Sequence, residues 1–117
     1  MLIFDIEIYR NYFLASFMNT KGQVCHIEMR NDGKLDVAKL AKMMRDNITL
    51  GFNSNSYDLY MVAAALENRS CAELKALSNE IIMSNLPAWK SAKVSIPRTW
   101  DTIDIIDVLQ GQASLKV

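Results

Sequence analysis

Apolar and polar residues alternate from the first positions of the chain. Leu2-Ile3-Phe4-Asp5-Ile6-Glu7-Ile8 is rich in β-branched and aromatic residues and lacks Gly and Pro, the pattern of a strand. Successive strand side chains alternate faces, so Asp5 and Glu7 project from one side and Phe4, Ile6 and Ile8 from the other. Tyr9-Arg10-Asn11 then reads as a turn, and residues 12–18 as a second strand. Asn19-Thr20-Lys21-Gly22 has the composition of a hairpin turn, with Gly22 free to take positive φ. Gln23 to Arg30 alternates again, with Val24, His26 and Glu28 opposite Cys25, Ile27 and Met29. Short links between three such runs predict an antiparallel meander.

The period then changes. From about Asp36 to Asp46 the apolar residues Leu35, Val37, Leu40, Met43 and Met44 recur at helical spacing, with Lys39, Lys42 and Arg45 on the other side as a solvated face. Residues 48–53 read as a short buried strand, so a strand, helix, strand succession predicts a parallel neighbour for the first strand. The polar loop 53–56 ends in Ser56, an expected N-cap for a helix over 57–66. Ser70-Cys71-Ala72-Glu73 is a capping-box pattern opening a helix that carries Leu74, Leu77 and Ile81. Residues 86–97 look irregular and hold Trp89, Lys90 and Lys93, with Arg98 just beyond. Such a segment is either an ordinary insertion anchored by one Trp or a loop that grips a single strand by stacking and charge. Residues 100–109 divide into a fifth strand and a helical half, Gly111 closes that run, and 114–117 look like the start of another helix. The expected architecture is one α/β domain over 1–117: a mixed five-stranded sheet, an antiparallel meander plus parallel strands, with helices on both faces.

Composition narrows the function classes. Half of the 117 residues are apolar, enough for one moderate core and too many for disorder. Thirteen basic and thirteen acidic residues cancel, so a phosphate-rich partner would have to be met by local patches or by metal. Cys25 and Cys71 have no zinc-type spacing, and the single histidine, His26, reads as a half-exposed sheet residue; two reduced thiols are expected. No apolar run approaches the roughly 20 residues of a membrane span, and acids by position five argue against a signal peptide. A cytoplasmic location is the expectation, in the host cell if the chain is phage-encoded.

The chemistry centres on acids. Asp5 and Glu7 on one strand face repel each other unless a cation shares them, and hard divalent ions take such oxygens. That predicts a carboxylate metal site on a partly desolvated central strand; an edge strand with its acidic face in water explains the same residues. Asp58 falls in the first turn of the 57–66 helix, where the helix dipole favours an anion, just past a parallel strand where open α/β sheets place ligands.

Three motifs together resemble a known family. Phe4-Asp5-Ile6-Glu7 on a first strand is similar to the first motif of the DEDD 3′–5′ exonucleases, the DnaQ-like branch of the ribonuclease-H-like fold. Gly51-Phe52-Asn53 followed by Tyr57-Asp58 resembles their second motif, and Trp100-Asp101-Thr102-Ile103-Asp104 the Asp-Thr segment after it. Asp5-Ile6-Glu7 with Tyr9 and the Ser114-Leu115-Lys116 ending looks closest to proofreading domains of bacteriophage DNA polymerases. The family's third motif, a Tyr or His with an Asp on a later helix, has no counterpart before Val117, so the chain reads as an N-terminal, C-terminally shortened part of such a domain.

The resemblance implies hydrolysis of phosphodiester bonds at a single-stranded DNA 3′ end, with two Mg²⁺ or Mn²⁺ ions about 4 Å apart. It implies that Asp5 bridges both ions, Glu7 binds the ion that activates water, and Asp58 holds the other through water. Ile6, Ile8 and Tyr9 would line the slot for the terminal nucleotide, Asn53 would hydrogen-bond near the scissile strand, and Tyr57 would pack beside the site. The polymerase portion of a longer chain is an implied partner, and exposed sheet edges would allow a homodimer. Three other functions share the fold: an inactive nucleic-acid-binding module, a protein-interaction module, and a nuclease acting on RNA.

Overall fold

The computed structural model describes residues 1–31 and 33–109. Five strands form one sheet in the order β3-β2-β1-β4-β5. The meander is β1 (Leu2–Tyr9), β2 (Tyr12–Met18) and β3 (Val24–Arg30), paired antiparallel. Strands β4 (Ile48–Gly51) and β5 (Asp101–Asp104) run parallel to β1 on its other side. Between them lie the helices α1 (Val37–Asp46), α2 (Asp58–Ala65), α3 (Cys71–Met83) and the single turn α4 (Ala88–Ser91). The mixed α/β sheet expected from the periodicities is present.

Local chemistry explains most boundaries. Gly22 takes φ 81° in the β2–β3 turn. Asp36 caps α1 by accepting the Lys39 backbone N–H at 3.1 Å. Ser70 and Glu73 make both bonds of the capping box at α3. Two expectations need correction. Ser56 does not cap α2: residues Ser54–Ser56 form a 3₁₀ turn, Tyr57 occupies the cap position, and the helix begins at Asp58. The fourth strand stops at Gly51, because Asn53 turns left-handed at φ 57° and cannot continue it. The 86–97 segment also gains α4 where no element was expected. The expectations for Gly111 and for 114–117 lie outside the described residues.

The core lies on one side of the sheet. Phe4, Ile6, Phe13, Phe17, Ile27 and Met29 join Leu40 and Met44 of α1, Leu59 and Val62 of α2 and Leu74 of α3 in a single buried cluster. The opposite sheet face, with Ile3, Asp5, Glu7, Met18, Val24 and His26, is exposed among the described residues. The expectation of helices on both faces is therefore corrected for the described part: buried side chains of α1, α2 and α3 all serve the same face. Gly51 is where β4 closes on that core, since a Cβ there would lie 2.8 Å from Phe4 Cε1 and 2.8 Å from Ser54 Cβ. Cys25 and Cys71 are both free thiols. No helix among the described residues is long and apolar enough to cross a membrane.

Candidate functional site

The chain leaves β1 toward β2 and leaves β4 toward β5, so its path divides between these two adjacent parallel strands. In open α/β sheets the crevice at the C-terminal ends of such strands is where ligands sit. β1 pairs with β4 only at Leu2 and Ile3, and continues to Tyr9 after β4 has ended. Asp5 therefore stands beyond the last β1–β4 pair, at the mouth of that crevice. The polar loop after β4 turns back through the 3₁₀ turn and starts α2 there, carrying Asp58.

Asp58 is the buried acid of the site, only 7% exposed. Its carboxyl is pushed up to about 7, first by burial and then by the negative charges of Asp5 and Asp104. The structure thus brings Asp58 into the field of Asp5, a residue distant from it in sequence. Asp5 and Glu7 themselves are exposed, which corrects the expectation of a partly desolvated pair. β1 is interior to the sheet, yet its acidic face is in water, because the buried side chains of α1, α2 and α3 pack on the other face. The charge of Glu7 adds a little to the raising of the Tyr12 hydroxyl, a shift due first to the hydrogen bond of Tyr12 with Glu28.

The remaining expected residues divide. Ile6 is buried in the core, so it could meet a ligand only through its backbone, and the partly buried Ile8 packs against that core. Tyr9 is exposed and stacks on Tyr12, ring centroids 6.4 Å apart. Asn53 is exposed, and its backbone N–H is held by a carboxylate described below. Tyr57 is half-buried and shares a 2.5 Å hydrogen bond with Ser78 Oγ on α3. Burial raises its phenol above the usual range, with the Asp58 charge adding to the effect.

Sequence reasoning assigned no role to Asp104, which is 4% exposed. Its Oδ1 accepts the N–H groups of Asn53 at 2.8 Å and Ile106 at 3.1 Å, and its Oδ2 that of Asn55 at 2.9 Å. Asn55 returns a second tie through Nδ2 to Asp107 Oδ2 at 2.8 Å. These bonds fasten the loop before Asp58 to the end of β5. The available signal was an acid flanked by isoleucines on a strand, an arrangement that places a charge among apolar neighbours and calls for donors.

Beside Asp58 opens a cleft of about 500 Å³. Phe52 and Asn53 line it from the end of β4, Tyr57 and Tyr60 from α2, Ile81 from α3 and Trp89 from α4. Of its aromatic walls Tyr57 was expected beside the site, whereas Phe52, Tyr60 and Trp89 were not placed there. The donor set around Asp58 is of the hard-oxygen kind that suits Mg²⁺ or Mn²⁺. Among the described residues, however, no three His, Cys, Asp or Glu side chains gather closely enough to hold a metal ion. Comparison with protein-family models, with curated proteins and with solved structures finds no match.

Proposed function

We propose that this chain is a nuclease domain of the DnaQ-like, ribonuclease-H-like type that hydrolyses phosphodiester bonds at a DNA 3′ end. The observation that carries the reading is that Asp58, buried at the start of α2 just past β4, feels the charge of Asp5, which stands beyond the last β1–β4 pair. A buried acid in the field of other acids is costly for folding alone, and a cation-dependent role accounts for it.

The residues fit a divalent ion in donor chemistry. Asp5 and Asp58 would hold it; Glu7 shares the strand face of Asp5 but does not gather with both among the described residues. When bound, such an ion supplies charge neutralisation at the phosphate and a water of lowered pKa. The protein's own contribution is positioning. Asp104 fixes the backbone of the loop over Asn53–Asn55, so the start of α2 presents Asp58 in one place. Tyr57, tied to Ser78, anchors the same loop to α3 from the other side. Burial keeps water off Asp58, so its charge acts on a bound cation in a low dielectric. A strand-binding module without hydrolysis is the second reading, favoured by the lack of a three-donor cluster among the described residues.

The test is a 5′-labelled single-stranded oligonucleotide incubated with the full chain and Mg²⁺ or Mn²⁺. The expected product is a ladder shortening from the 3′ end, absent with chelator and absent for Asp5→Asn and Asp58→Asn. Binding without shortening selects the second reading; a ladder that survives both substitutions places the chemistry elsewhere.

A further inference from the structure

The sheet ends on two unlike edges. β5 offers 4 residues, whereas β3 offers 7, paired with β2 in unbroken register from Val24 to Arg30. Among the described residues no strand pairs with the outer side of β3. Edge strands usually discourage pairing with Pro, Lys or a bulge, and β3 has none of these. Its fixed charges, Glu28 and Arg30, answer each other at 3.4 Å on the open sheet face.

The ladder fixes which backbone groups that edge presents. At its two ends the Asn19 N–H bonds the Gln23 carbonyl at 3.0 Å, and the Asn31 N–H bonds the Asn11 carbonyl at 2.8 Å. In an antiparallel pair such bonded positions recur at every second residue. Cys25, Ile27 and Met29 therefore turn their N–H and C=O groups to β2. Val24, His26 and Glu28 turn theirs outward. Arg30 offers only its N–H, because its carbonyl accepts the Gly33 N–H. A strand paired antiparallel with its own copy is closed by a two-fold axis, so a second copy of this chain can satisfy these groups without forming a fibre.

Charge selects the register. Outward groups must meet outward groups, so Val24, His26, Glu28 and Arg30 can only stand opposite one another. An axis through His26 sets each imidazole against its own copy. An axis through Glu28 sets carboxylate against carboxylate and His26 against Arg30. An axis through Ile27 sets His26 against the partner's Glu28 and Glu28 against the partner's His26, with Val24 beside the aliphatic stem of the partner's Arg30. On the core side the same axis brings Ile27 to the partner's Ile27 and Cys25 to the partner's Met29, apolar against apolar. We propose that β3 is a homodimer seam, pairing antiparallel with β3 of a second copy about an axis at Ile27 and joining two five-stranded sheets into one. The seam is independent of the phosphodiester reading: β2 and β1 separate it from the crevice beside β4, which stays open in both copies.

Sedimentation velocity of the full chain over a dilution series provides the test. The wild type should dimerise reversibly. His26→Pro removes an outward N–H in the middle of the seam and spares the bonds to β2, a place where edge strands tolerate Pro, and should stay monomeric at every concentration. His26→Glu sets like charges across both halves of the seam and should weaken the dimer by about 2- to 30-fold. Adding Glu28→Lys to it restores opposite charges and should recover the affinity. Hydrogen exchange needs no substitution: the N–H groups of His26 and Glu28 should become protected as the wild type is concentrated. A wild type that is monomeric throughout overturns the seam. So does a dimer that His26→Pro leaves equally tight, or exchange at His26 and Glu28 that ignores concentration. Tightening by His26→Glu overturns the register, since that is the outcome where His26 faces Arg30.

Discussion

Asp104 Oδ1 accepts the backbone N–H of Asn53 at 2.8 Å, joining the end of β5 to the loop that launches α2. With its bonds to Ile106 and Asn55, this carboxylate satisfies three backbone donors in a buried position. Asn53 holds a left-handed φ of 57°, so the loop needs such an outside partner to keep its turn.

Asp104→Asn should therefore be costly although it is nearly isosteric. The amide can still accept through one oxygen, but its NH₂ group must meet an N–H, and a charge-assisted bond is lost. A destabilisation of about 2–3 kcal/mol is expected. Urea denaturation would register it as a lower midpoint at unchanged slope. An unchanged midpoint would mean that the clamp contributes nothing to the fold.

Asp58 makes stability pH-dependent in the direction opposite to most carboxylates. An acid usually near 3.8 is raised to about 7 in the fold, so the native state binds its proton more tightly than the unfolded chain does. Without metal, the group costs nothing below pH about 4. The penalty grows as pH rises toward 7 and is complete above it, reaching about 4 kcal/mol. Asp58→Asn should remove that slope, so the mutant's melting temperature gains on the wild type's as pH rises from about 4.5 to 8 in chelator. Saturating Mn²⁺ should reverse the order near pH 8, because the ion stabilises only the protein that binds it. A constant difference between the two proteins across this range would show that burial of Asp58 carries no charge penalty.

Tyr57 and Ser78 form a pair whose coupling is measurable. Tyr57→Phe leaves the Ser78 hydroxyl, 2% exposed, without its partner and should cost about 1–2 kcal/mol. Adding Ser78→Ala to Tyr57→Phe should recover part of this by removing the stranded hydroxyl. The double-mutant cycle is expected to give a coupling of about 1 kcal/mol. Strictly additive losses would mean that the two groups do not support each other.

Much of the sheet was legible along the chain, because the forces that set it are local. Period-two alternation placed β1, β2 and β3, and it sorted Cys25, Ile27 and Met29 from Val24, His26 and Glu28 as the structure does. Gly22, Asp36 and the Ser70–Glu73 box marked their turn and helix starts through backbone φ and unpaired N–H groups, which depend on a few neighbours only. The loop after β4 was less legible. The choice between Ser56 and Tyr57 as cap is made by a 3₁₀ turn whose backbone is held from β5, and no residue within the loop reports that contact.

The site divides in the same way. The residues themselves determined that Asp5 and Glu7 share a strand face and that Asp58 opens a helix, since both statements follow from the geometry of one element. Only the tertiary structure decided that the face of Asp5 is open to water while Asp58 is buried, that Asp104 anchors the loop between them, and that Trp89 and Phe52 line one cleft. Burial and electric field are not properties of a residue. They arise from which distant segments close around it, and alternation along a strand marks its apolar face without saying whether the other face is covered as well.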